Sequence, residues 1–344
     1  MKKSTGKIAG TLVVAAVLAG ALWYWSRGVD SFDWARFRAN IAQADPMWLL
    51  AALVAVGFSY LGRVVRWRVM LEPMRQNPGF WGILSATAIG FTATVLFGRA
   101  GELVRPYLIA KRENVTVSSQ IAVWLAERIF DLLMVLGLFG FAIAQLQHHV
   151  NNPKIASIAS AGGYALGFMS IICLFAVLSF RYFERGVQQR LLDALGFLPE
   201  HAVEKIGKVL ASFSEGMAAT RNTRSLLLLI FYSIVEWVIL IFCNYFTLLA
   251  MPGTAGLTLP ESVVVLGFVA IGHSVQLPGV GGGGQVATLF VLTELYNVPA
   301  EAASAAALVL WLVNVVTILP IGVVLAFAEG LQWKDMKTWE AQQP

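Results

Sequence analysis

Charge is what this sequence has least of. Asp, Glu, Lys and Arg together supply 13% of its residues, against ~25% in an ordinary soluble domain. That is too little to build the surface of a globular protein of 344 residues. Cysteine occurs twice, as Cys173 and Cys243, each inside an apolar run. This excludes a disulfide framework and leaves both as small hydrophobes. No His/Cys/Asp/Glu spacing of a metal site, no phosphate-binding loop and no setting for a serine nucleophile is present. No metal or cofactor is therefore expected, and the chain is expected not to be an enzyme. The net charge of +5 is scattered between apolar stretches instead of gathered in one basic region, which argues against nucleic acid as a partner.

What is abundant is apolar. Hydrophobic residues make up 58% of the chain, against roughly 45–50% in soluble domains. Runs at 8–25, 121–146, 155–180, 225–251 and 302–328 approach or exceed the ~20 residues a helix needs to cross a bilayer core of ~30 Å. They are too long and continuous for barrel strands, and helices are the remaining way to satisfy backbone polar groups in lipid. The fold class follows: an all-α polytopic integral membrane protein. Lys2, Lys3 and Lys7 precede the first run, which ends in Trp23-Tyr24-Trp25. An interfacial aromatic anchor after so long a run reads as an uncleaved first span.

Positive charge sets the topology. With the amino terminus cytoplasmic, the second span returns inside at Arg63, Arg66 and Arg68. Phe80–Phe97 is followed by Gly98-Arg99-Ala100-Gly101-Glu102 and then a short apolar piece, 103–110, which as a helix reaches only ~12 Å and cannot cross. If Phe80–Phe97 crossed alone, the basic stretch 181–224 would lie outside, against the positive-inside bias. A re-entrant hairpin over 80–110 removes the conflict. Most of the 25 Lys and Arg then fall inside, Arg27, Arg36, Arg38 and Lys154 outside, and Arg99, Arg105 and Arg128 at membrane depth.

The carboxyl half repeats this order upside down. Residues 225–251 cross outward, a second re-entrant hairpin spans 261–296, and 302–328 cross inward. The break within the second hairpin carries Pro278, Gly279 and the run Gly281-Gly282-Gly283-Gly284 before Gln285, which cannot sensibly continue a helix. The expected architecture is about six full spans plus two broken hairpins in an inverted repeat, with both termini cytoplasmic. Residues 1–146 form the first half and 147–328 the second, which includes a cytoplasmic amphipathic segment at 181–224; 329–344 form a tail. Paired broken helices in inverted halves are the mark of many secondary transporters, with the site near midplane.

Charged groups inside spans are costly and face a bundle interior or cavity. Arg99, Glu102 and Arg105 are spaced three apart at the first hairpin tip, so Glu102 can meet both arginines. They read either as an anion site, two guanidiniums holding a phosphate, or as a salt-bridge cluster that fixes the hairpin. Glu127, Arg128 and Asp131 follow in the next span; Arg128 can pair with Asp131, and Glu127 needs a cation from elsewhere, Arg99 or Arg105. Glu236 lies mid-span, with either a proton-coupling role or an ion pair open to it. His273, Gln276 and Gln285 surround the second break.

The motif Gly98-Arg99-Ala100-Gly101-Glu102 with Arg105, then Ala126-Glu127-Arg128 with Asp131, then Pro278-Gly279 with its glycine run, resembles the transmembrane region of lysylphosphatidylglycerol synthase and its stand-alone relatives, also described as flippase-like domain proteins. The resemblance covers nearly the whole chain. It implies a flippase fold that moves an aminoacylated phosphatidylglycerol or, in other relatives, is linked to a polyprenyl-phosphate sugar or glycolipid. The chain departs from the bifunctional members in ending at Pro344, so lysyl-lipid synthesis is not expected. It departs again at Gln285, where relatives often place an acidic residue, and at Phe97, where many have proline.

The leading expectation is a flippase-like transporter of the bacterial inner or plasma membrane. It would bind or translocate an anionic phospholipid, glycolipid or polyprenyl-phosphate-linked lipid between the two hairpins. The substrate-binding candidates are Arg99, Gly101, Glu102, Arg105, Glu127, Arg128, Asp131, Glu236, His273, Pro278, Gly279 and Gln285, with Arg99 and Arg105 on phosphate and Glu102 orienting them. The alternatives are a scaffold or accessory subunit whose partner is a lipid- or glycan-synthesis enzyme, and a membrane-bound transferase.

Overall fold

The computed structural model describes residues 32–145, 153–180, 207, 222–277, 279 and 281–330. The expected first span, most of the 181–224 segment, Pro278 and nearly all of the tail lie outside the described residues. The elements are α1 (Trp34–Ala42), α2 (Pro46–Leu71), α3 (Phe80–Phe97), a 3-10 turn (Gly98–Leu103), α4 (Val104–Glu113), α5 (Val117–Gln145), α6 (Pro153–Phe180), α7 (Thr223–Ala250), α8 (Leu259–Gly272), β1 (Gln276–Leu277), β2 (Gly281–Gly282), α9 (Gly283–Glu294) and α10 (Ala300–Ala328). Local chemistry starts them where the sequence offers caps. The Asp45 carboxylate accepts from the Met47 N–H ahead of Pro46 at the first helical position, and Thr258 with Glu261 forms a capping box for α8.

Four stretches are long and apolar enough to cross a bilayer: Pro46–Leu71, Phe80–Glu113, Thr223–Ala250 and Ala300–Ala328. The second is not one rod. Gly98 has φ +64, and the chain beyond it runs back along α3. A Cβ on Gly101 would fall 2.2 Å from the Ala93 backbone, one on Gly90 2.5 Å from Arg105 Cβ, and the Gly79 N–H meets Glu113 at 3.0 Å. Small residues let the two legs touch backbone to backbone. The returning leg reaches Glu113, three residues beyond the expected end at 110, because Asn114 adopts the left-handed conformation that closes α4.

The second reversal is built differently. Its legs, α8 and α9, are joined by a two-residue antiparallel ladder pairing Gln276 with Gly282 and Leu277 with Gly281, a detail that an all-helical reading did not contain. Gly281 and Gly282 have φ +98 and +146, backbone that only glycine adopts without strain.

The two hairpins enter from opposite ends. The base of the first lies beside the end of α10, where Arg112 and Ser85 bind Glu329. The start of α10 lies at the other end, where the Asp33 N–H meets Glu301 and the Asp45 N–H meets the Ala250 carbonyl. α7 thus runs antiparallel to α2, its main packing partner. One apolar core, around Trp67, Met70, Ile83, Ile109 and Leu229, fills the first end. A second, around Val56, Leu248, Val265, Leu292 and Ala306, fills the other. Large apolar side chains left open outside them, including Phe58, Phe168, Phe231, Val324 and Phe327, form a surface suited to lipid. The chain is an all-α multi-pass membrane protein.

Candidate functional site

Between the two apolar cores lies a polar layer, and the hairpin tips meet in it. The Gly279 N–H donates to the Val95 carbonyl at 2.8 Å, and Arg99 Nη2 donates to the His273 carbonyl at 3.1 Å. Beside this contact is a cavity of about 400 Å³ bordered by α2, α3, the 3-10 turn, α4, α5, α7, α8, α9 and α10.

A buried ion-pair network holds the cavity's floor. Arg66 on α2 binds Glu127 at 2.8 Å, Asp131 at 2.9 Å and Glu236 at 3.3 Å, and donates to the Ser233 hydroxyl at 3.2 Å. Arg63, one turn earlier, binds Glu236 at 2.8 Å. Arg105 binds Glu127 at 3.0 Å, donates to the Arg63 carbonyl at 3.3 Å, and lies over the Trp67 ring at 4.1 Å. Arg128 binds Asp131 at 3.3 Å. Isolated charges at such depth are too costly to persist, and mutual pairing is what lets them remain ionised.

The layer as a whole is not neutral. Arg63, Arg66, Arg99, Arg105 and Arg128 stand against Glu102, Glu127, Asp131 and Glu236, an excess of one positive charge. Some donors are also unspent: Nε of Arg66, Arg105 and Arg128 has no hydrogen-bond partner among the described residues. Arg105 and Arg128 border the cavity.

The structure sorts the sequence candidates by position. Arg99, Glu102, Arg105, Arg128, Asp131, His273 and Gln285 border the cavity. Glu127 and Glu236 do not; each sits behind, holding arginines. Gly101 packs against Ala93, Gly279 forms the tip contact, and Pro278 lies outside the described residues. Glu102 meets Arg99 at 3.0 Å but not Arg105, whose guanidinium is turned onto Glu127 of α5. Of the two partners expected for Glu127, Arg105 is one and Arg99 is not. Gln285 turns its side chain onto the Gly282 N–H at 2.5 Å, so it shapes the second tip instead of placing charge there.

Arg63 and Arg66 were expected on the cytoplasmic side, where the second span ends, and are instead at the centre of the network. α2 continues to Leu71, and Arg66 is only 1% exposed. The signal was present: Val64, Val65, Trp67, Val69, Met70 and Leu71 carry the apolar run past both arginines. Trp237, Asn244, Trp311 and Asn314 also border the cavity and were not among the candidates.

Residues 8–332 match the family described as lysylphosphatidylglycerol synthase TM region. Among curated proteins, the chain is 25% identical to the glycosyltransferase AglD of Haloferax volcanii, over 91% of this chain and 53% of that protein. The chain thus spans about half the length of this relative. No solved structure matches. The expectation that the chain is not an enzyme is overturned by the second finding. A protein named as a glycosyltransferase aligns with nearly all of this chain, so the lack of a metal spacing or nucleophile setting is no ground for excluding catalysis.

Proposed function

The chain belongs to the lysylphosphatidylglycerol synthase TM region family, and from that premise we propose that its central cavity binds the phosphate of an anionic membrane lipid and passes it between leaflets, in a pathway of lipid or glycan assembly. The observation that carries this reading is the net positive polar layer, with the accessible guanidiniums of Arg99 and Arg128, bordering a cavity where two hairpins from opposite ends touch. A guanidinium with a free N–H is a directional phosphate binder, and binding at midplane between inverted elements suits alternating access. The halves 1–146 and 147–328 would each contribute one hairpin, with both termini on the cytoplasmic side of the cell membrane; α2 packs on α7 and binds Glu236 across the halves, so the hairpins and not whole halves are the elements that would move.

The test is leaflet exchange of labelled phosphatidylglycerol and labelled polyprenyl phosphate in proteoliposomes. Wild type accelerates at least one of them, and Arg128→Ala slows it while the protein remains folded. Unchanged exchange of every anionic lipid in the presence of wild-type protein would count against the reading.

The glycosyltransferase relative favours a second reading, in which the chain presents a lipid-linked sugar phosphate for glycosyl transfer. Glycosyl transfer measured with and without the chain in the same membranes separates this from leaflet exchange alone.

A further inference from the structure

The four carboxylates of the polar layer are not held alike. Glu127 is bound by Arg66 and Arg105, Asp131 by Arg66 and Arg128, and Glu236 by Arg63 and Arg66. Each of these keeps an arginine when one partner turns away. Glu102 has a single cationic partner among the described residues, Arg99 at 3.0 Å. That partner is also the most open arginine of the layer, its side chain 55% exposed against 33% for Arg128 and 14% for Arg63. Both Arg99 and Glu102 border the cavity. Nothing nearby stands ready to replace Arg99. The 3-10 turn packs on α3, α4 and β1; α3 and β1 bring no charged or titratable side chain to the cavity, and Arg105 of α4 is turned onto Glu127. Also on the wall are Arg128 of α5, which feels Glu102 at a distance but pairs with Asp131, Asp131 itself, and His273 of α8, whose carbonyl accepts from Arg99.

We infer that Glu102 is a proton-coupling carboxylate: a lipid phosphate that takes Arg99 displaces Glu102, which picks up one proton from water, so that anion and proton are bound and carried together. On release of the phosphate the proton returns to water and Glu102 pairs with Arg99 again. The inference rests on the proposed function and deepens it by adding the co-transported ion. The physical ground is charge. Two anions beside one guanidinium repel each other, and a carboxylate left without its cation at membrane depth takes the neutral form. Phosphate and proton then favour each other's binding reciprocally. The charge of the layer agrees: empty, its five arginines exceed its carboxylates by one, and with a monoanionic phosphate bound and Glu102 neutral the excess is again one. Loaded and empty hairpins therefore carry the same charge. Glu236, the mid-span carboxylate open to a proton-coupling role on sequence, is held by two arginines and does not border the cavity.

The experiment follows labelled phosphatidylglycerol, a monoanion, in proteoliposomes of the full chain under an imposed pH gradient, with the membrane potential held at zero by valinomycin and equal potassium on both sides. Protein-free liposomes give the passive distribution, which is subtracted. Wild type should concentrate the label in the leaflet facing the alkaline side, by up to about tenfold per pH unit for one proton per lipid. Glu102→Gln, which keeps the shape and removes the titrating group, should bring the label to an even distribution at whatever rate it exchanges it, whereas Glu102→Asp should keep the accumulation. A potassium diffusion potential at equal pH should leave the wild-type distribution even, since a monoanion and a proton together move no net charge. The wild-type arms and Glu102→Asp decide the question even where Glu102→Gln does not exchange. An even distribution in wild type that does exchange, accumulation driven by the potential alone, loss of accumulation in an exchanging Glu102→Asp, or accumulation kept by Glu102→Gln would overturn the proton coupling by Glu102 while leaving phosphate binding and exchange standing. No exchange of any anionic lipid by wild type, labelled polyprenyl phosphate included, would overturn both.

Discussion

Arg105 and Glu127 bind each other at 3.0 Å between the returning leg of the first hairpin and α5, with neither side chain open to solvent. The same carboxylate also holds Arg66 of α2 at 2.8 Å. One side chain therefore fixes three elements around the cavity, and Glu127 serves the site from behind by holding the arginines in place. Two charges brought this deep lose their hydration, and the geometry must return most of that cost.

Glu127→Gln is accordingly expected to damage folding. It leaves Arg66 and Arg105 short of a counter-charge, and breaking a buried pair from one side costs about 3–5 kcal/mol. The fraction of monodisperse protein surviving a heat challenge in detergent should fall sharply. Adding Arg105→Gln to Glu127→Gln should recover part of the loss, since the remaining carboxylates still neutralise Arg66. Survival equal to wild type in the single variant would show that the pair carries no structural load.

Arg99→Ala should behave in the opposite manner. Its side chain is 55% exposed and pairs with Glu102 three residues on, a kind of contact that contributes about 0–1 kcal/mol. Heat survival should stay near that of wild type while exchange of labelled anionic lipid slows, because Arg99 also joins the two tips through the His273 carbonyl. Loss of folded protein in step with loss of exchange would assign Arg99 to the fold instead.

Much of this arrangement was legible in the sequence, for a physical reason. Lipid tolerates so few polar groups that Arg99, Glu102, Glu127 and Glu236 stood out against their apolar surroundings, and a four-glycine run has no helical use. The partners were less legible. Nothing in one-dimensional spacing joins Arg66 to Glu127 across 61 positions, and charge counting places an arginine near a span's end in a loop by default. The aromatic and amide lining was hidden in another way: Trp311 on an apolar helix reads as packing until a cavity is seen beside it.

Glycine contacts offer a test of the hairpin that is independent of charge. A Cβ on Gly101 would meet the Ala93 carbonyl at 2.2 Å, backbone that cannot move aside cheaply, whereas one on Gly57 meets nothing within 4 Å. Gly101→Ala should spread the legs of the first hairpin and cost about 1–3 kcal/mol or more, visible as reduced heat survival. Gly57→Ala, in the middle of α2, should be neutral or slightly stabilising, since alanine is the better helix former. Equal behaviour of the two would mean that the legs do not touch at the tip.

The sidedness of the two hairpins yields the last prediction. If their bases lie on opposite membrane faces, single cysteines placed there must react with a membrane-impermeant thiol reagent from opposite sides. Lys111, near the base of the first hairpin, is exposed. So is Gly256, just before the second hairpin, where an added side chain meets nothing within 4 Å. The background is Cys173→Ser with Cys243→Ala; Cys243 is buried, so alanine leaves only a small gap. In sealed right-side-out vesicles Gly256→Cys should label and Lys111→Cys should not, with the order reversed in inside-out vesicles. This follows because positively charged Lys111 and Arg112 favour the cytoplasmic face, and because the base of the second hairpin lies at the far end of α7 and α10 from the first. Labelling of both from one side would place the hairpins on the same face, and the inverted order of the two halves would have to be abandoned.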